Sequence, residues 1–133
     1  MIYSKGCEYA IRAVLYLAKQ PVGKRILIKQ IAENEGVPMH FLAKLFQTLA
    51  KDGIVSSQKG RGGGFALAMP AEEISLFKIY ESIDGLSSFG RCIFGLEGCS
   101  GESPCPVHNH WKVVKEQIGE FLKGNTIADL RTN

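Results

Sequence analysis

Glu35-Gly36-Val37-Pro38 separates two stretches of helical periodicity, and that short break limits the fold more than any other feature of the chain. Before it, Ile28, Ile31 and Ala32 mark the apolar side of a short helix over Ile28–Glu35. After it, Leu42, Leu45, Phe46 and Leu49 follow i, i+3, i+4, i+7 in a helix from Pro38 to Asp52, which Gly53 ends. Two helices so closely joined cross each other as a helix–turn–helix. Ala32 is small enough for the crossing, Gly36 supplies the positive φ of a tight turn, Val37 fills the angle, and Pro38 suits the first position of the next helix. With its apolar stripe set aside, that helix presents His40, Phe41, Ala43, Lys44, Gln47, Thr48 and Lys51, with no acidic residue before Asp52.

The rest of the chain reads around this pair. Ser4 is the N-cap of a first helix running to about Lys19, with Tyr9, Ala10, Ala13, Val14, Leu17 and Ala18 at helical spacing; Pro21 and Gly23 break it. Glu8, on its first turn, suits the helix dipole and can pair with Arg12 at i+4. Ile54–Gln58 and Phe65–Ala68 flank Lys59-Gly60-Arg61-Gly62-Gly63-Gly64, a β-hairpin with a glycine-rich turn. A fourth helix spans Ser75–Ile83 and stops at Asp84-Gly85; a loop follows to Pro106. The last long helix, Val107–Lys123, has Trp111, Val114, Ile118, Phe121 and Leu122 on one side, and Thr126–Leu130 adds one more turn. The fold class is mainly α with a small β-hairpin: a winged helix–turn–helix with a long C-terminal dimerisation helix. Its 133 residues make a single domain, 1–70 forming the helix–turn–helix and wing and 71–133 the cysteine loop and final helix.

Charge indicates what the first half meets. Residues 1–70 hold ten Lys and Arg against four Asp and Glu; residues 71–133 hold six against nine. A basic half joined to an acidic one fits a polyanion partner. The exposed set of the third helix suits the major groove of DNA, where the first turns reach base edges and lysines reach phosphates. His40, Phe41, Lys44 and Gln47 are the reading candidates; Lys59 and Arg61 on the wing are candidates for phosphate and minor-groove contact, the missing Cβ atoms of the turn letting backbone approach the duplex. Other glycine-loop chemistries do not fit. A dinucleotide loop needs glycine where Phe65 stands, and the Gly-Lys-Ser/Thr of a P-loop is absent. With no acid/base pair or cleft motif, the chain is not expected to be an enzyme. No run of about 20 apolar residues would cross a membrane, and no signal peptide is evident, so a cytoplasmic protein is expected.

Cys92, Cys99 and Cys105 are spaced C-x6-C-x5-C, and His108 follows the third by x2. In a reducing compartment, clustered cysteines point to metal or redox chemistry rather than structural disulfides. The paired C-x2-C knuckles of a zinc ribbon are missing, and Gly95, Gly98, Gly101, Pro104 and Pro106 suit a loop curled around an iron–sulfur cluster. Three thiolates leave room for another ligand, for which His108 is the local candidate. Cys7, near the start of the first helix, reads as a small buried residue.

Together these residues resemble the IscR/NsrR/RirA-type family of winged-helix iron–sulfur transcriptional regulators. The likeness covers essentially the whole chain: Ser4-Lys5-Gly6 and Glu8-Tyr9-Ala10, Ile31-Ala32 through Phe41-Leu42 to Leu45-Phe46, Gly53-Ile54-Val55-Ser56-Ser57, the wing Lys59-Gly60-x-Gly62-Gly63-Gly64-Phe65, Ile83-Asp84-Gly85 and the three cysteines. The resemblance implies a homodimer held by Val107–Lys123 on a near-palindromic double-stranded promoter site. It also implies a 2Fe–2S or 4Fe–4S cluster that senses iron, cluster supply, nitric oxide or redox state. Cys92, Cys99 and Cys105 fall on the family's ligand positions, with either His108 or Glu8 of the partner subunit as the fourth. The x6 interval is longer than in several members, and Ala43 stands where some carry an acid. A cluster-free thiol-based regulator is the alternative, and an iron–sulfur carrier a further one.

Overall fold

Ser4 begins the first element as its sequence position suggests. In a computed structural model, which describes residues 3–85, 92, 94, 102 and 104–131, its hydroxyl accepts from the Cys7 N–H at 3.1 Å and caps α1, Lys5–Ala18. Cys7, Ala10, Ala13, Val14 and Leu17 of α1 are all buried, and the helix lies at the centre of the fold. α2, Ile28–Glu35, ends at Gly36 with φ 68°, and Val37, 5% exposed, closes the angle to α3, Met39–Lys51. Pro38 stands one residue before the expected position, as the N-cap of α3 with an extended ψ of 128°. Leu42, Leu45, Phe46 and Leu49 of α3 are buried, and Gly53 at φ 80° ends the turn beyond it.

β1, Val55–Gln58, pairs antiparallel with β2, Gly64–Leu67, in the register Val55↔Leu67 to Gln58↔Gly64. Ile26 adds a bridge on the far side of β2, exchanging hydrogen bonds of 2.9 and 2.8 Å with Phe65. That bridge explains one glycine of the turn. A Cβ at Gly64 would stand 2.6 Å from the Ile26 carbonyl oxygen, and one at Gly63 would stand 2.3 Å from that of Gln58. Both positions are demanded by the protein's own backbone. Gly60 and Gly62 face open space at positive φ and shape the tip. The Phe65 ring meets Phe46 edge-on at 5.0 Å, seating the wing on α3.

A 3-10 turn, Ala71–Glu73, leads to α4, Leu76–Ile83, which Ser75 caps through the Lys78 N–H at 3.0 Å. α5 is the 17-residue helix His108–Gly124, and α6 is Ile127–Arg131. Thr126 and Asp129 cap α6 reciprocally at 3.0 and 3.2 Å. Thr126 also bridges Ser75, so the end of the chain returns to the start of α4. The expected loop over 85–106 lies largely outside the described residues.

The apolar side expected for α5 is divided. Leu122 is buried and Trp111 and Ile118 half-buried, whereas Val114 and Phe121 are 42% and 53% exposed, as is Val113 beside them at 54%. One copy of the chain therefore covers only part of this helix. Among the described residues no helix is long and apolar enough to cross a membrane.

Candidate nucleic-acid interface and thiol site

Burial of Leu42, Leu45, Phe46 and Leu49 turns the opposite side of α3 to solvent, where His40, Lys44, Gln47 and Lys51 are exposed. Phe41 is also exposed and has a second contact. Its ring packs edge-on against Tyr9 at 5.6 Å, so although 40% exposed it braces α3 on α1. Thr48 returns its hydroxyl to the Lys44 carbonyl at 3.4 Å. On the wing, Lys59 and Arg61 are exposed, and neither they nor Lys44 form an ion pair with another described residue. Arg25 braces the hairpin from within: its Nη1 donates to the carbonyls of Ser56 at 3.2 Å and Gly64 at 3.4 Å.

A feature not anticipated from the sequence concerns the helix starts. α1 and α4 have serine caps, whereas the N-caps of α2 and α3, Leu27 and Pro38, make no side-chain hydrogen bond. Both helices of the turn thus start without a side-chain cap for their first-turn N–H groups, although the Gln30 N–H donates to the Leu27 carbonyl at 3.0 Å. The signal was legible, since neither position 27 nor 38 is Ser, Thr, Asp or Asn.

The expected Glu8–Arg12 pair does not form. Arg12 reaches Glu35 instead, with Nε 3.4 Å from Oε1 and a second donation to the Glu35 carbonyl oxygen. The end of α2 offers both a carboxylate and a carbonyl at the negative pole of a helix, which outcompetes one carboxylate on its own helix. Glu8 pairs with Lys5 at 3.4 Å.

The cysteine motif is partly assembled. Cys92 and Cys105, thirteen residues apart, bring their sulfurs to 3.6 Å, and both are half-buried. Two thiolates on one tetrahedral metal, with bonds of about 2.3 Å, stand about 3.8 Å apart, so the pair fits adjacent ligand positions. His108 opens α5 one turn later, its N–H donating to the Cys105 carbonyl at 3.1 Å. Cys99 lies outside the described residues, and among those described no group of three His, Cys, Asp or Glu converges as a metal site.

Cys7 is a different thiol. It is fully buried under α1, and burial, with a smaller contribution from the nearby Asp84 carboxylate, pushes it up to about 12. At pH 8 its thiolate fraction is on the order of 10⁻⁴. Alkylation of the folded, chelator-stripped and thiol-reduced protein with iodoacetamide at pH 8, read by peptide mass, is expected to label Cys92 and Cys105 and leave Cys7 untouched. Equal labelling of Cys7 would contradict its placement in the core.

Comparison with known proteins bears on both regions. The Rrf2 family, described as an iron-dependent transcriptional regulator, matches residues 3–133. An HTH-type transcriptional regulator of Aquifex aeolicus is 37% identical over 132 residues, covering 98% of this chain and 91% of that protein. The HTH-type transcriptional regulator IscR of Serratia proteamaculans is 35% identical over 130 residues, covering 98% and 78%. Among solved structures, T. potens IscR superposes with a TM-score of 0.78 at 27% identity, covering 98% of this chain and 85% of that one. CymR, the global cysteine regulator of B. subtilis, shares the fold with a TM-score of 0.82 at 23% identity, covering 99% and 97%.

Proposed function

The chain belongs to the Rrf2 family of iron-dependent transcriptional regulators, and from that premise we propose that it is a cytoplasmic homodimer whose promoter binding is modulated by an iron–sulfur cluster. The members it resembles are regulators of transcription, not enzymes, which sets the carrier reading aside. In this reading 1–133 is one domain, with the helix–turn–helix and wing in 1–70. His40, Lys44 and Gln47 reach base edges and phosphates from α3, with Phe41 fixing the helix through Tyr9. Lys59 and Arg61 take the wing to the backbone and minor groove. The uncapped starts of α2 and α3 suit phosphate oxygens at the same surface. The half-covered α5, with Val113, Val114 and Phe121, is the surface we assign to the partner subunit.

The observation behind the cofactor reading is the 3.6 Å approach of Cys92 to Cys105. Cys92, Cys99 and Cys105 would hold the cluster, a 2Fe–2S or 4Fe–4S centre, with His108 or Glu8 of the partner subunit as fourth ligand. His108 stands one turn from Cys105, its backbone N–H donating to the Cys105 carbonyl at 3.1 Å. When bound, such a group supplies a reversible, oxidation-sensitive crosslink between α5 and the segment before it. The chain's own part is to orient two thiolates and to exclude some solvent around them. A cluster-free thiol switch is the second reading, favoured by the same distance and by the existence of an oxidized form of the 28%-identical Staphylococcus aureus CymR.

Purification without oxygen, with a visible spectrum and iron and sulfide analysis, separates the two. Coloured protein with matching iron and sulfide is expected, the ratio per chain giving the cluster type. A colourless preparation that cannot be reconstituted, with DNA binding reversed by dithiothreitol, would reject the cluster for the thiol switch.

A further inference from the structure

We propose that Asp84 is the positioning residue that transmits the state of the thiol site to the DNA-reading helix, an inference that rests on the regulator reading above. Its carboxylate accepts the Ser4 N–H at 2.8 Å on Oδ2 and the Ser4 hydroxyl on Oδ1, across 80 residues of sequence. The same Ser4 oxygen caps α1 by accepting from the Cys7 N–H. Asp84 therefore holds the start of α1 through the group that also sets the helix's first turn.

That first turn rests on α3. A Cβ at Gly6 would stand 3.2 Å from Leu45 Cδ2, 3.6 Å from Phe41 Cζ and 3.7 Å from Ile83 Cγ2. α1, α3 and the end of α4 thus meet at a point with no room to slide. Two residues before Asp84, the Ser82 hydroxyl donates to Asp52 Oδ2 at 2.6 Å, where Asp52 caps the far end of α3. Residues 82–84 are in this way tied to the reading helix twice: to its C-cap directly and to its body through α1.

Position does the rest. Asp84 is eight residues before Cys92 in sequence, and Glu8 is on the next turn of α1 after Ser4. A displacement of the chain at residue 84 must move the start of α1 or break the Ser4 bonds. Because Gly6 packs on Leu45 and Phe41, moving α1 reorients α3. Packed cores switch between discrete arrangements rather than deform smoothly, so a tie at this junction passes a small change onward.

The test compares iron-loaded and chelator-stripped, thiol-reduced protein on one duplex, selected from a random-sequence pool by the loaded wild type. The ratio of the two Kd values is the coupling, expected at about 5–150-fold in the wild type. Asp84→Ala is expected to bring that ratio to within about two-fold of unity, with iron per chain and the visible spectrum unchanged. Ser4→Ala, which keeps the backbone donor, and Asp84→Asn, which keeps one acceptor oxygen, should give intermediate ratios. A wild-type ratio retained by Asp84→Ala overturns the proposal, and so does loss of iron, which would place Asp84 at the thiol site itself. Should Asp84→Ala fail to fold, an unchanged ratio in Ser4→Ala overturns it equally. A wild-type ratio of unity identifies a different failure, that of the regulator reading on which the proposal rests, and overturns both.

Discussion

Replacing Lys59 by Ala is expected to weaken binding of the proposed dimer to duplex DNA roughly 60-fold near 0.1 M salt and to flatten the log–log salt dependence by about 1.8. The side chain is exposed on the wing and makes no ion pair with a described residue, so its ammonium is available to a phosphate. Each neutralised phosphate releases about 0.9 of a counterion, and a dimer presents two wings. A slope change of about 0.9 would indicate one wing per site, and no change would remove the wing from the interface. Arg61→Ala should give a comparable loss together with a weaker preference for narrow, A·T-rich minor groove. Arg25→Ala works by another route. Its guanidinium holds a carbonyl on each strand of the hairpin, those of Ser56 and Gly64, so its removal displaces Lys59 and Arg61 together. Titration of fluorescent duplexes between 50 and 300 mM salt, on the order of one decade, reads all three.

Cys105→Ser, purified without oxygen, is expected to retain its fold and lose at least about ten-fold of its bound iron. A serine hydroxyl stays protonated near neutral pH and is a poor substitute for a soft thiolate. The backbone carbonyl of residue 105, which accepts the His108 N–H at the start of α5, survives the exchange. DNA affinity should equal that of the chelated wild type, because α3 and the wing are built from other elements. Cys7→Ala supplies the contrast, since a buried thiol pushed up to about 12 is a core residue and its loss should leave iron content unchanged. Iron analysis per chain across the three proteins decides the matter. Full iron in Cys105→Ser would remove the Cys92–Cys105 pair from the ligand set.

Much of the architecture is legible because its signals act within one helical turn. Ser4 and Ser75 reach N–H groups three residues on, and Gly36 and Gly53 take the positive φ that stops a helix. The α3 stripe needs only its own spacing to be read as core. The hairpin is legible from two extended runs around glycine, but the reasons for its glycines are not. Gly63 and Gly64 answer to carbonyls of Gln58 and Ile26, and the approach of Ile26, 38 residues earlier, leaves no mark in the local pattern. The thiol site is legible as a spacing; the approach of Cys92 to Cys105 is a fact of the folded chain.

The boundary between the two is set by range. The helices, the turn between α2 and α3, the wing and the grouping of cations in the first half follow from the sequence alone, because propensity, capping and periodicity depend on neighbours a few residues away. Packing of distant elements decided the partners of Arg12, Phe41 and Asp84. Arg12 left Glu8 for Glu35 because the end of α2 came within reach, and Phe41 met Tyr9 because α1 lay behind it. Asp84 met Ser4 across most of the chain. A flexible side chain can satisfy its charge or its ring against several candidates, and only the packing of elements fixes which of them is near enough to win.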